Sequence, residues 1–292
     1  MTNQNKISWR HHYLPVFYLK GFTKESKKIK VFDVVKKHFI QNGKEFSPES
    51  YFFQKNANTI ITPDNIKTDF LEHFYSNFDD KIAKLISKIN SSNHLNRFNV
   101  DEDEMPLLNH FVSLMFWRLP HRENLIESII ESNDLINLGL SIYNKDGSVN
   151  VEANEKFKKD PAFIKFFRLY NSFLDSVKGV SCRTPYSIIQ KPHEVPFLCS
   201  DNPVIFENDL TPSVDKDDYI FPLSGSKIFI RAQKRNDFDV FLWILIDTLL
   251  YKQTVKYISC TDEKYLEVLD NNFEKNGLSI EELRHEIFKR IM

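Results

Sequence analysis

The chain has 292 residues, of which 41% are hydrophobic and 27% are charged, and its formal net charge at pH 7 is −1. These values are typical of a globular protein, and they exclude the disordered, fibrous and collagen-like classes. Only seven glycines are present, and none has the spacing of G-x-G-x-x-G, G-x-x-x-x-G-K or G-x-S-x-G. The sequence therefore lacks the fingerprints of dinucleotide-binding, P-loop and α/β-hydrolase sites.

Residues 1–65 are predicted to form a basic N-terminal arm with short strands. Residues 1–44 contain ten Lys or Arg and two acidic residues, a net charge of +8. Such clustering favours a phosphate-rich partner, and a solvated lysine face is the alternative interpretation. Ile29–Val35 is a β-prone run, and the turn-forming residues Gln41–Gly43 predict that it folds onto His38–Ile40.

Residues 66–179 are predicted to form a helical block, because apolar residues recur there at three- and four-residue steps. Thr68 is placed to cap the first helix, and the acidic run Asp101–Glu104 favours the start of the second. Pro120 should end that second helix, since proline lacks an N–H and clashes with the preceding turn. The apolar positions of the four predicted helices lie within Phe70–Ile89, Leu107–Phe116, Leu125–Ile136 and Phe163–Val177.

After Gly179 the apolar period changes from 3.6 to 2, which predicts a sheet in residues 180–292. The predicted strands are Tyr186–Gln190, Phe197–Cys199, Val204–Phe206, Tyr219–Phe221, Ile228–Arg231 and Val255–Cys260, with a buried helix at Val240–Tyr251. Two helices close the chain, and Ser279 with Glu282 forms a capping box for the last one. We therefore expect one interlocked α+β domain, residues 1–292, with a helical N-terminal half packed against a mostly antiparallel C-terminal sheet with flanking helices.

Cysteine usage and hydropathy bear on where the protein resides. Cys182, Cys199 and Cys260 are far apart and form no C-x-x-C pair, so reduced thiols are expected. The N-terminus, Met1–Arg10, is polar and lacks the apolar region of a secretory signal. The longest apolar run, Val240–Tyr251, is shorter than the ~20 residues that span a bilayer. We expect a cytoplasmic protein that does not associate with membranes.

The adjacent pair His11–His12 is the strongest local signal for chemistry, because aromatic residues flank it on one side. In an extended segment the two side chains point to opposite faces, so one of them lines a given pocket. A neutral imidazole there would serve as a general base or a metal ligand near pH 7. The alternative interpretation is a histidine that is hydrogen-bonded within a polar core.

Two further motifs lie far along the chain. Arg118 and Arg122 flank the break at Pro120, and paired arginines suit a clamp on phosphate or carboxylate; helix capping and ion pairing are the alternative. Asp201 and Asn202 follow a predicted strand and precede Pro203. That carboxylate would orient a histidine or bind a cation, whereas turn formation is its commoner use. No histidine has zinc-motif spacing.

Together these motifs resemble a known bacterial family. The segment His11–Phe22 reads H-H-Y-x-P-x-F-Y-L-x-x-F and is similar to the start of the family catalogued as domain of unknown function 4238. The resemblance continues at Arg118 with Pro120, at Ser200–Val204 and at Phe221–Ser224. The sequence departs from the family pattern at Val16 and Asp79, where glutamine and glutamate are common. The resemblance implies an α+β fold and an intracellular bacterial setting, and it implies no activity.

Two functions follow from the residues. The first is a nuclease or related phosphoryl-transfer enzyme with a role in bacterial defence or as a toxin, acting on nucleic acid or a nucleotide. His11 or His12 and Asp201 would supply base or metal-ligand chemistry, a divalent metal being a candidate cofactor. Arg118 would stabilise phosphate charge, with Tyr18, Arg122 and Asn202 binding. The alternative is a non-catalytic binding or regulatory module, in which the motif residues form a buried structural network.

Overall fold

The computed structural model of the protein describes residues 8–62, 64–92, 104–133, 135–179, 186–208, 212–214, 216–232 and 238–291. The N-terminal arm consists of short strands and one short helix. These are β1 (Arg10–His12), α1 (Val16–Lys20), β2 (Ile29–Asp33), β3 (His38–Phe39), β4 (Glu45–Phe46), β5 (Phe53–Lys55), β6 (Ile60–Ile61) and β7 (Lys67–Thr68). β1 pairs with β5, and β6 pairs with β7, both antiparallel.

A helical block follows the arm, as the apolar periodicity predicts. It contains α2 (Phe70–Ser91), α3 (Met105–Trp117), α4 (Glu123–Ser132), α5 (Val151–Lys158) and α6 (Pro161–Gly179). Every residue of α3 from Leu108 to Trp117 is buried, because α3 packs against α2 on one side and α6 on another. The helix ends before Pro120, which begins a short 3₁₀ turn.

The described residues of the C-terminal part contain six strands and three helices. It contains β8 (Tyr186–Gln190), β9 (Leu198–Ser200), β10 (Ile205–Phe206), β11 (Tyr219–Ser224), β12 (Lys227–Arg231), α7 (Val240–Gln253), β13 (Tyr257–Cys260), α8 (Glu263–Asn276) and α9 (Ile280–Ile291). The predicted capping box is present at the last helix: Glu282 accepts from the Ser279 N–H at 2.8 Å, and Ser279 Oγ accepts from the Glu282 N–H at 3.1 Å.

Two antiparallel sheets organise these strands, which confirms the α+β fold. One sheet has the order β10-β11-β12-β8 and comes from the C-terminal part alone. The other has the order β3-β2-β13-β9, with β4 also on β2, and it combines strands from both ends of the chain. In that sheet Ile258 of β13 lies between Phe32 of β2 and Ser200 of β9. This sheet therefore links the strand that follows the early motif, β2, to the strand that precedes Asp201, β9, through β13.

Two large buried clusters form most of the core of the described residues, and a third, smaller cluster contains Leu71, Tyr75, Leu114 and Leu169. The first joins the arm to α2, α3, α6 and one face of β11, with Tyr18, Phe111 and Phe221 among its largest members. The second lies between the other sheet faces and α7, α8 and α9, around Trp243 and Phe288. Within the described ranges, no helix combines the length and the apolar character needed to cross a bilayer.

The predicted hairpin in the arm is right about the strands and wrong about the turn. β2 and β3 pair antiparallel, but the chain reverses at residues 34–37 instead of at Gln41 and Asn42. Asp33 Oδ1 accepts the N–H groups of Val35 and Lys36, which closes the earlier turn. Gln41 and Asn42 form the next turn, where both adopt positive φ values of 47° and 54°.

Candidate functional site

His11 is buried, and both of its ring nitrogens are hydrogen-bonded within the chain. Nδ1 accepts the backbone N–H of Asn58 at 2.7 Å, so Nε2 carries the proton and donates to the Ser8 carbonyl at 3.0 Å. The Asn58 side chain also donates to the Glu72 carboxylate, which lies 3.8 Å from His11 Nδ1. His11 thus joins β1 to the loop after β5 and to the first turns of α2.

His12 points away from His11, as the extended backbone predicts. Its ring is half-buried against Phe53, with 5.6 Å between ring centroids, and its Nε2 lies 3.3 Å from the Glu49 carbonyl oxygen. Burial lowers the pKa of His12, and the positive charges of Arg118 and Arg10 act in the same direction. The imidazole of His12 is therefore neutral at pH 7.

Arg118 connects the first motif to the helical block. Its Nη1 donates to the Asp79 carboxylate of α2 at 3.2 and 3.4 Å, and its Nη2 donates to the His12 carbonyl at 2.6 Å. The guanidinium also lies 4.7 Å from the ring centroid of Tyr75. Among the described residues, Arg118 Nε has no hydrogen-bond partner. Burial raises the pKa of Asp79, and the Arg118 charge opposes that shift.

Asp201 is buried at the end of β9 and binds the backbone between α7 and β13. Oδ1 accepts the N–H of Val255 at 2.9 Å, and Oδ2 accepts those of Lys256 and Tyr257, each at 2.8 Å. Burial raises the pKa of Asp201, whereas these three hydrogen bonds lower it. Burial raises the pKa of Tyr13, and the charge of the Asp201 carboxylate raises it further. The first and third motifs are therefore neighbours.

Asn202 connects the third motif to the second. Its Oδ1 accepts from Arg122 Nη2 at 3.4 Å, and its Nδ2 donates to the Gln253 carbonyl at 3.1 Å. The Arg122 guanidinium lies 4.2 Å from the centroid of Phe116. His121 also lies beside Asn202, and burial together with the Arg122 charge lowers the pKa of His121 to about 4. A polar cluster thus surrounds the 3₁₀ turn at Pro120.

Tyr18 is fully buried on the other side of the first motif. Its hydroxyl donates to the Pro222 carbonyl at 2.8 Å, and its ring stacks on Phe221 at 5.5 Å with an interplanar angle of 11°. The Gly225 N–H donates to the Gly21 carbonyl at 2.9 Å. The segment Phe221–Ser224, singled out in the sequence, therefore fixes the position of α1.

The structure brings all the motifs into contact, but not onto one shared group. Arg118 meets the first motif at His12, and Arg122 meets the third motif at Asn202. His11 and Asp201 each bind backbone groups of other segments. The roles predicted for these side chains in catalysis, and for Tyr18, Arg122 and Asn202 in binding, stay predictions.

Sequence reasoning missed several partners in this network. Asp79 was singled out only as a departure from the family pattern, yet it is the ion-pair partner of Arg118. Glu72 and Asn58 are bonded to each other near His11, and no local motif marks them. The one available signal was the position of Asp79 on the apolar face of α2, where a carboxylate needs a buried cation.

The described part of the chain contains several cavities but no cluster of metal-ligating side chains. No group of three or more His, Cys, Asp or Glu side chains in the described residues is arranged to hold a metal ion. A cavity of about 560 Å³ lies between α7 and α9, and one of about 430 Å³ lies between α4 and α5. A third, of about 190 Å³, lies between Lys37 and α8.

Comparisons with known proteins address identity. Searches of curated proteins and of solved structures gave no match to this chain. A family model described as a protein of unknown function (DUF4238) matches residues 10–239. That range includes the histidine pair, both arginines, Asp201 and the Phe221–Ser224 segment. The match covers well over half of the chain and confirms the resemblance seen in the motifs, so the chain belongs to the DUF4238 family.

Proposed function

We propose that this protein is a non-catalytic binding module whose motif residues form a buried network that holds the N-terminal arm in place. The observation that carries the proposal is the hydrogen bonding of His11 and Asp201. The lone pair of His11 faces the Asn58 N–H, and the Asp201 carboxylate accepts three backbone N–H groups. A general base or metal ligand needs a lone pair directed at its substrate or ion.

Arg118 supports the same function. To clamp a phosphate, its guanidinium would have to leave both Asp79 and the His12 carbonyl, and Asp79, whose side chain is 19% exposed, would then be a largely buried carboxylate without its cation. Removing one partner of a buried ion pair costs about 3–5 kcal/mol. As a bridge between α2, α3 and β1, the same guanidinium stabilises the fold without that cost.

The nuclease hypothesis assigns catalytic roles to the same residues and stays a prediction. His12 has a neutral imidazole near Arg118, which is the arrangement that would favour it. The two functions predict different behaviour for the same variants, because a structural residue affects unfolding and a catalytic residue affects turnover.

The test combines unfolding with a cleavage assay. His11→Ala, Arg118→Ala and Asp201→Ala should each lower the midpoint of thermal unfolding by several degrees, since 1 kcal/mol corresponds to about 1.5–2 °C in a chain of this size. His38→Ala, at an exposed histidine, is the matched control and should leave the midpoint unchanged. Wild-type protein with Mg²⁺ or Mn²⁺ should leave DNA and RNA uncut. Metal-dependent cleavage that His12→Ala or Asp201→Ala abolishes in a folded protein would overturn the proposal.

A further inference from the structure

The antiparallel pair of β1 and β5 carries one exposed and one half-buried aromatic ring in contact with cations. Trp9 is 44% exposed, and its ring meets that of Phe53 edge-on at 6.0 Å. Arg10 lies opposite Lys55 in the pairing; its guanidinium is 4.6 Å from the Trp9 centroid and 5.2 Å from that of Phe53. Lys55 Nζ is 5.5 Å from the Trp9 centroid. Two cations therefore accompany these two rings.

A second group of partly exposed rings begins two residues before Phe53. Tyr51 contacts Phe46 at 4.8 Å and Tyr257 at 5.8 Å, measured between ring centroids. Lys44 Nζ is 5.9 Å from the Phe46 centroid, and Lys256 Nζ is 4.8 Å from that of Tyr257. The arrangement seen on the β1–β5 pair, an aromatic ring with a cation beside it, recurs here on β4 and β13.

Phe52 holds the two groups in a fixed relation. It is buried between Tyr51 and Phe53 with φ at 59°, and the Tyr13 N–H donates to its carbonyl at 3.0 Å. We use the name cationic aromatic strip for the rings and cations of both groups: Trp9, Arg10, Lys44, Phe46, Tyr51, Phe53, Lys55, Lys256 and Tyr257.

We infer that the cationic aromatic strip binds single-stranded nucleic acid. The inference rests on the proposed function, because the buried network is what positions β1. Unpaired bases stack on aromatic side chains and guanidinium planes, while cations beside the rings attract the phosphates. Bases in a duplex are already stacked on each other, so the strip discriminates against double strands.

Charge supports this partner over others. The strip contributes four cations, two of which, Arg10 and Lys44, belong to residues 1–44, whose net charge is +8. Glu45 faces Lys30 in the strand pairing, and Glu49 lies 4.0 Å from Lys20 Nζ. The buried carboxylates of Asp33 and Asp201, which lie near Tyr257, accept backbone N–H groups. A membrane surface would be contacted by protruding apolar side chains, whereas these rings lie half-buried with cations on their faces.

Tryptophan fluorescence is a direct probe, because Trp9 is exposed while Trp117 and Trp243 are 6% and 1% exposed. Addition of the oligonucleotides dT₂₀ or rU₂₀ to the full chain should quench the emission of Trp9. Fluorescence anisotropy of a labelled oligonucleotide should give the same Kd. Trp9→Phe keeps a stacking ring, so it should bind normally and lose the quenching.

Truncations should weaken binding by amounts that identify the contacts. Trp9→Ala and Phe53→Ala should each raise Kd about tenfold or more. Lys55→Ala should reduce the slope of log K against log salt by about 0.7, the contribution of one phosphate on a single strand. Phe241→Ala is the matched control, since Phe241 is 45% exposed with Arg290 4.9 Å from its centroid, on α7. It should leave Kd unchanged.

Three results would overturn the inference. These are an absence of binding to either oligonucleotide at low salt, equal losses in Trp9→Ala and Phe241→Ala, and preference for a duplex or for phosphatidylserine vesicles over the single strands. None of them would affect the proposed buried network, which is tested by unfolding. Cleavage of the bound strand would overturn the non-catalytic function and leave the strip as its binding surface.

Discussion

The guanidinium of Arg118 donates a 2.6 Å hydrogen bond to the backbone carbonyl of His12, although the two residues are 106 positions apart. The hydrogen bond is made to the backbone of the histidine motif, and the His12 imidazole takes no part in it. The same guanidinium binds Asp79, so one side chain joins β1, α2 and the end of α3. A single arginine thereby fixes the position of the arm relative to the helical block.

Replacement of Arg118 should be among the most damaging single changes in the chain. Arg118→Ala leaves the Asp79 carboxylate largely buried without a cation, and we expect it to lower the free energy of unfolding by about 3 kcal/mol, the lower end of the range for buried pairs. Arg118→Lys keeps the charge but cannot reach both acceptors in the same fork geometry, so its loss should be smaller. Urea denaturation measures both.

The control for Arg118 is an exposed ion pair. Arg290 pairs with Glu286 at 2.7 Å, with the two side chains 41% and 35% exposed. Arg290→Ala should cost no more than about 1 kcal/mol, as is usual for surface pairs. Equal losses in Arg118→Ala and Arg290→Ala would contradict the role assigned to Arg118.

Asp201 should behave as a backbone-binding residue. Asp201→Ala removes the acceptor of three N–H groups at residues 255–257, and each hydrogen bond to a charged group contributes about 1.5–3 kcal/mol. Asp201→Asn keeps one acceptor oxygen and turns an NH₂ group toward the remaining donors, so it should also destabilise. Chemical denaturation gives the cost, and amide hydrogen exchange should speed up first at Val255, Lys256 and Tyr257.

An exposed aspartate with similar local bonding provides the comparison. Asp146 accepts the N–H and the hydroxyl of Ser148 in an exposed turn. Water replaces the lost acceptor there, so Asp146→Ala should cost well under the loss at Asp201. The interpretation of Asp201 is wrong if its alanine variant is as stable as that of Asp146.

Stability should decrease as the pH falls from 6.5 to 4, in part because of His110. Its ring lies between those of Phe78 and Phe173, 4.2 and 4.3 Å away, and burial lowers its pKa from 6.5 to about 4. In that range the unfolded chain binds more protons than the folded one, so acid favours unfolding. The shift corresponds to about 3 kcal/mol.

His110→Gln removes this titration and should flatten the dependence of unfolding free energy on pH between 4 and 6.5. His121 contributes in the same direction, whereas Asp79 and Asp201, whose pKa values are raised, contribute in the opposite one. His38→Gln, at an exposed site, should leave the slope unchanged. A slope that His110→Gln does not alter would contradict the burial argument.

The sequence predicts the helices and strands well, because the apolar periodicity that marks them is set by residues close together in the chain. The prediction that the side chains of His11 and His12 point to opposite faces is confirmed, because the first is buried and the second is half-buried. The bonds of the candidate site are long-range and carry no local signature. The apolar face of α2 marks Asp79 as a residue that needs a cation, but the choice of Arg118 as that cation depends on how α2 packs on α3. The pairing of Arg10 with Lys55 likewise depends on how β1 pairs with β5.

Hydrogen exchange of the arm in Arg118→Ala is the most direct test of the claim that the buried network holds the arm in place. The account predicts that backbone amides of residues 10–22 exchange faster in the variant than in wild type, while those of α8 and α9 keep their protection under the same conditions. Unchanged protection across residues 10–22 in a folded Arg118→Ala protein would contradict it.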